Sequence, residues 1–206
     1  MNRRNLEANP LMEQFSEYRS KIDDALKREL DLYSWSEFYT PLRYACDGGK
    51  RIRPLILVLA AESIKLGRVN SSKVGEEDTF MAASAIELLH TESVIHDDII
   101  DEENLRRGKP SFHVKYGYNN SILTADFVLG IILNIGSKLN NQRVSGEISN
   151  AAIKMSEGEM MEIKLAKDLN VTEDDYIGAA ARAHSARCNG ELLGEGGNHG
   201  RGKDER

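Results

Sequence analysis

The chain has 206 residues, the size of one domain or of a small domain with an extension. Its 27 Lys and Arg against 33 Asp and Glu leave a formal net charge of −6, which is not the basic signature of a nucleic-acid binder. Hydrophobic residues at 40% are enough for a core and exclude global disorder. The two cysteines, Cys46 and Cys188, exclude a disulfide framework and point to a reducing compartment. The most apolar run, 122–135, contains Thr124, Asp126 and Asn134 and falls short of the roughly 20 apolar residues that cross a bilayer. Met1-Asn2-Arg3-Arg4 leads into polar sequence, unlike a secretory signal. The expectation is a cytoplasmic chain without a membrane span.

No stretch alternates with period two for long enough to form a sheet, so the chain reads as all-α. Leu11, Phe15, Tyr18, Ile22, Leu26 and Leu30 make a helical stripe over 11–32. Thr40-Pro41 reads as a cap followed by proline at the first helical position, and that helix should stop at Gly48-Gly49. Arg53-Pro54 opens a helix over 55–66 that is apolar nearly all round and therefore belongs in a core. A polar loop over 67–75 leads to a long helix over 76–101, which Gly108-Lys109-Pro110 separates from helices over 119–138 and 142–167. Thr172-Glu173-Asp174-Asp175 resembles a capping box before a short helix. The expected domain ends at residue 181. The remaining 25 residues, 182–206, include six glycines and only two large aliphatics, Leu192 and Leu193, and should not pack.

Chemistry concentrates near the end of the long helix, in His90, Asp97, Asp98 and Asp101. At 100° per residue Asp97 and Asp101 lie within about 40° of each other, and His90 falls within about 20° of Asp97. An acidic run of this kind is ordinarily a solvated helix end. Here Val94, Ile95, Ile99 and Ile100 are interleaved, which implies deep packing of another face. The charges also sit where the helix macrodipole disfavours them, by roughly 0.3–1 kcal/mol each. A divalent cation would offset that cost. An all-oxygen set suits Mg²⁺, which binds one or two carboxylates and completes its shell with water and phosphate oxygens; zinc through His90 or His96 is the less favoured alternative.

Two basic elements flank this cluster in sequence. Gly48-Gly49-Lys50-Arg51-Ile52-Arg53-Pro54 places three cations in four residues at a helix start, either an ordinary basic loop or a phosphate site. It lacks the spacing of a Walker loop. Leu105-Arg106-Arg107-Gly108 carries adjacent arginines, each able to clamp a phosphate. Together these elements describe a metal-bound diphosphate site beside a second, metal-free anion site.

Gly-Gly-Lys-Arg-x-Arg-Pro at 48–54, Asp-Asp-x-x-Asp at 97–101, Leu-Arg-Arg-Gly at 105–108 and Pro-x-x-His at 110–113 resemble the trans-isoprenyl diphosphate synthase family, over roughly residues 10–178. Within it the likeness is to geranylgeranyl and longer-chain polyprenyl diphosphate synthases. The resemblance implies a helical bundle around a deep apolar cavity. It also implies condensation of isopentenyl diphosphate with an allylic diphosphate by ionisation, condensation and elimination. Mg²⁺ on Asp97 and Asp101, with Asp98 assisting, would hold the allylic diphosphate together with Arg106. Lys50, Arg53, His90 and Arg107 would hold isopentenyl diphosphate. A homodimer or pairing with a full-length synthase is a further implication. A terpene cyclase, which also uses Asp-Asp-x-x-Asp, has no need of the Gly-Gly-Lys-Arg-x-Arg element.

The family also carries a second aspartate-rich motif preceded by Lys-Thr. Where Lys-Thr would stand the chain reads Ala183-His184-Ser185-Ala186, and no second motif follows. The helical bundle is thus expected to be incomplete at its C-terminal end. The alternative this raises is a non-catalytic partner subunit that modulates a full-length synthase. Family members set product length partly at the positions four and five residues before the first aspartate. Here these are Ser93 and Glu92, with no aromatic floor, which implies a longer product. Glu92 should point away from an apolar tunnel or pair with a basic residue. Gly158-Glu159 resembles a family segment that faces the cavity, although acidic residues on a helix face are usually solvated.

Overall fold

The computed structural model describes residues 10–67, 75–168 and 170–179. The sequence stripe on the first helix, α1 (Pro10–Asp31), is realised as a buried seam of Ile22, Ala25, Leu26 and Leu30. Helices α2 (Tyr39–Cys46) and α3 (Ile52–Gly67) each start earlier than the prolines imply. Phe38 occupies the N-cap position of α2, so Thr40 is not a cap and Pro41 is the third helical residue. Pro54 is likewise third in α3. The first intrahelical bonds follow immediately, Leu42 N–H to the Phe38 carbonyl (2.8 Å) and Leu55 N–H to that of Arg51 (3.0 Å). A proline within the first turn removes no helical hydrogen bond, because those N–H groups have no partner inside the helix. The apolar composition of α3 does not bury it all round: Leu57 and Val58 face the core while Ile52, Ile56 and Ile64 are exposed.

Helix α4 (Glu76–Ile100) is the hub, packed against α1, α2, α3, α5, α6 and α7. Its small and aliphatic residues Ala82, Ala83, Ala85, Leu88 and Leu89 allow close approach on several sides. It ends in a Schellman motif without glycine. Glu103 N–H reaches the Asp98 carbonyl (3.0 Å), Glu102 N–H reaches that of Ile99 (3.4 Å), and Glu102 takes the left-handed φ of 53°. The chain then makes a two-residue hairpin that the sequence pattern did not anticipate, β1 (Leu105–Arg106) against β2 (Lys109–Pro110), in antiparallel register. Both turn residues, Arg107 (φ 54°) and Gly108 (φ 75°), are left-handed, as a type I′ turn requires.

A short α5 (Phe112–Tyr116) follows, and Gly117 at φ 84° joins it to α6 (Tyr118–Lys138). Helix α6 is long and apolar enough to cross a membrane by length and composition. Its stripe of Thr124, Ala125, Val128, Ile131, Ile132 and Ile135 is nevertheless buried and the helix packs on α4, as a core helix does. Helix α7 (Gln142–Leu165) adds Ile148 and Met155 to the same core. Thr172 and Asp175 form the expected capping box: Asp175 N–H bonds Thr172 Oγ1 (3.2 Å) and Thr172 N–H bonds Asp175 Oδ2 (3.1 Å), at the head of α8 (173–179). Apart from the small hairpin and the connecting turns, the described residues are helical. The stretch 182–206 lies outside the described residues.

Candidate active site

The loop between α2 and α3 is organised by Arg51, whose side chain is only 9% exposed. Its φ of 53° turns the side chain inward. There its Nε donates to Asp23 Oδ1 (2.7 Å), its Nη1 to Glu87 Oε1 (2.8 Å) and its Nη2 to the Cys46 carbonyl (2.8 Å). Burial works against the charge, but the two carboxylates outweigh it and raise the Arg51 pKa. Of the three cations in the loop, Arg51 is therefore a tie between α1, α2 and α4 and not a group presented to a ligand. Lys50 is exposed and Arg53 half-buried on either side of it. Burial also pushes the nearby Cys46 thiol up to about 11.

Gly49 sits at φ 92°, and a Cβ there would stand 3.2 Å from Arg107 Nη1 and 3.3 Å from Arg51 Nη1. The glycine thus does two things, adopting a conformation L-residues avoid and admitting two guanidinium ends against the backbone. It also shows where Arg107 goes: from the hairpin turn back onto the α2–α3 loop. Arg106 goes elsewhere. Its Nε donates to Asp98 Oδ1 at 2.6 Å. Adjacent arginines diverge because one ends a strand and the other occupies the left-handed turn position.

The hairpin has further anchors. Tyr44 Oη donates to the Pro110 carbonyl (2.6 Å), Lys109 Nζ pairs with Asp47 (2.5 Å), and Ser111 N–H closes onto the Asn104 carbonyl (2.9 Å). The Lys109 ammonium holds the exposed Asp47 carboxyl below its ordinary value. Between hairpin, α2 and α4 lies a cavity of about 220 Å³ bordered by Gly48, His90, Asp98, Arg106 and Arg107.

The polyprenyl synthetase family model matches residues 36–183. The chain belongs to the polyprenyl synthetase family. It is 33% identical over 173 residues to the geranylgeranyl diphosphate synthase of Methanosarcina mazei, covering 81% of this chain and 51% of that one. It is 33% identical over 153 residues to the octaprenyl diphosphate synthase of Escherichia coli, covering 71% and 45%. A crystal structure of the geranyltranstransferase of Thermotoga maritima superposes with a TM-score of 0.75 at 29% identity, over 84% of this chain and 64% of that one. The chain spans about half the length of the curated relatives it matches.

The candidate residues read from the sequence separate into groups. His90, Asp98, Arg106 and Arg107 border one cavity. Lys50 and Arg53 are not among its walls, and neither are Asp97 and Asp101. Asp97 is half-buried on the last turn of α4, and Asp101 is the exposed C-cap residue, bonded through its N–H to the Asp97 carbonyl (2.8 Å). Asp98 differs from both. It is 2% exposed, and burial raises its pKa against the opposing pull of Arg106, with His113 close enough to favour its charge further. Glu92 is 13% exposed and accepts from His96 Nδ1 (3.1 Å), the basic partner expected for it, and this carboxylate raises the histidine pKa. Ser93 is buried with its Oγ on the His90 carbonyl.

Among the described residues no three His, Cys, Asp or Glu side chains gather as a cage for a metal ion. The donor set nonetheless fits Mg²⁺. Asp97 and Asp101 supply two carboxylates one helical turn apart at the surface, and this ion keeps several waters and substrate phosphate oxygens instead of a full protein shell. Sequence reading overlooked Asp23 and Glu87, which hold the basic loop, and Tyr44 and Asp47, which hold the hairpin. Glu87 had a signal: a lone charge within Ala85-Ile86-Glu87-Leu88-Leu89 requires a buried partner.

Proposed function

We propose that the chain is a trans-prenyltransferase that condenses isopentenyl diphosphate with an allylic diphosphate to give a geranylgeranyl or longer polyprenyl diphosphate, with Mg²⁺ as cofactor. The observation that carries this reading is the convergence of His90, Arg106 and Arg107 with the Gly48-Gly49 loop on one cavity, beside the carboxylates at the end of α4. Asp97 and Asp101 would hold Mg²⁺, and bound there the ion would stabilise negative charge on a departing diphosphate. Arg106 would orient that diphosphate. Arg107 and His90, with Lys50 and Arg53 from the loop, would bind the diphosphate of the second substrate. Ser93 and Glu92 leave the apolar side of α4 without an aromatic stop, which supports a long product.

Isothermal calorimetry with farnesyl diphosphate tests the reading. Binding should require Mg²⁺ and should vanish in an Asp97→Ala/Asp101→Ala variant; equal binding with and without Mg²⁺ refutes it. The alternative raised by the sequence is a non-catalytic partner subunit of a full-length synthase. Elongation of farnesyl diphosphate with radiolabelled isopentenyl diphosphate separates the two, since a partner subunit binds but yields no product by itself.

A further inference from the structure

We infer that Asp98 is a positioning residue for Arg106, holding its guanidinium so that the two terminal nitrogens face a diphosphate, and is not a metal ligand. The inference rests on the prenyltransferase reading. Three observations carry it. The Asp98 side chain is 2% exposed and turned under the hairpin, whereas Asp97 and Asp101 lie nearer solvent. Its Oδ1 accepts from Arg106 Nε at 2.6 Å, which leaves the end-on fork, Nη1 and Nη2, outside this bond. That fork is the geometry that binds phosphate oxygens in parallel. The Arg106 side chain remains 38% exposed on the wall of the cavity, while the carboxylate that holds it is 2% exposed.

The backbone makes such a tie necessary. Arg106 is the last strand residue before a two-residue turn, and its neighbour Arg107 points to the α2–α3 loop. The side-chain anchors from α2 and its loop, Tyr44 to Pro110 and Asp47 to Lys109, act on the far strand. Asp98 is the side chain that reaches the Arg106 guanidinium itself. Its own backbone is fixed, since its carbonyl accepts the Schellman bond from Glu103. Position is thus passed from a rigid helix end to a flexible arginine.

Electrostatics alone predicts the opposite outcome, which makes the inference testable. Neutralising Asp98 exposes more of the Arg106 charge and should tighten anion binding; losing the hold on the guanidinium should weaken it. The experiment is calorimetry of inorganic pyrophosphate with Mg²⁺ on the full chain and on Asp98→Asn, Arg106→Ala and the double variant. Asp98→Asn should weaken pyrophosphate binding about tenfold, as loss of a partner that orients a ligating group does. In the Arg106→Ala background the same change should have no further effect. Mg²⁺ binding without pyrophosphate should be unaltered in Asp98→Asn. Arg106→Lys, which keeps the charge and leaves the buried carboxylate in place, should bind pyrophosphate as poorly as Arg106→Ala, because one ammonium cannot hold Asp98 and present a fork. This variant decides the matter if Asp98→Asn does not fold. Unchanged or tighter pyrophosphate binding in Asp98→Asn, loss of its Mg²⁺ binding, additive losses in the double variant, or a fully competent Arg106→Lys each overturns the inference. Failure of the unsubstituted chain to bind pyrophosphate overturns the prenyltransferase reading, and this inference with it.

Discussion

Replacing Arg51 with methionine removes a cation that is 9% exposed while leaving its partners in place. Glu87, 7% exposed, is then a buried carboxylate without its cation, a condition that typically costs roughly 3–5 kcal/mol. The Cys46 carbonyl loses its donor, which adds about 1–3 kcal/mol if no water replaces it. Asp23 is 43% exposed, so loss of its half of the pair matters little, within about 1 kcal/mol. The combined cost approaches the lower end of the roughly 5–15 kcal/mol by which a domain is stable. Arg51→Met should therefore shift the urea midpoint, followed by far-ultraviolet circular dichroism, to a fraction of its original value. The companion variant Arg51→Met/Glu87→Leu removes both charges and fills the space with apolar atoms. It should recover at least about 2 kcal/mol of the loss, since well-packed apolar replacements of buried pairs are often neutral. A double variant no more stable than Arg51→Met would refute the assignment of the cost to an uncompensated Glu87. An Arg51→Met variant within about 1 kcal/mol of the original would refute the role of Arg51 altogether.

Gly49→Ala should destabilise the chain by about 1–2 kcal/mol from the left-handed backbone alone, and more because Arg51 is tied on three sides and cannot retreat; a midpoint unchanged in urea unfolding would contradict this. The pH dependence of the Asp47–Lys109 pair has a definite sign. The Asp47 pKa is depressed in the folded chain, so its contribution is present above the ordinary carboxylate value and is lost as pH falls through the folded one. Carbon-detected NMR titration should find Asp47 below the ordinary aspartate range and returned to it in Lys109→Ala; identical titrations in the two chains would contradict the pairing.

The helices were legible in the sequence because amphipathic periodicity and capping are local. The α1 seam follows from Ile22, Leu26 and Leu30, and the Thr172–Asp175 box lies within four residues. What escaped depends on distant partners or on backbone conformations that side-chain identity does not announce. Arg51 is adjacent to Lys50 and chemically like it, yet its partners lie 28 and 36 residues away, and only the packing of α1 and α4 brings them to it. Asp97 and Asp98 are the same residue type side by side, and the hairpin over one of them separates their environments. That hairpin turns on Arg107-Gly108 in place of the usual Asn-Gly, and α4 stops on a left-handed Glu102 in place of glycine, so neither carried its customary mark. The motifs picked out His90, Asp98, Arg106 and Arg107, which the fold brings to one cavity, while burial sets Asp98 apart from Asp97.

The anchors of the hairpin have a consequence for the order of events in folding. Tyr44 and Pro110 are 66 residues apart, and Asp47 and Lys109 are 62 apart, so each bond closes a long loop that contains all of α3 and α4. Such closures carry an entropic cost that only an already docked pair of helices can offset. The arginines consequently take their places late, after the helices they bridge have met, and a refolding chain should regain its helical signal before the hairpin is seated on α2.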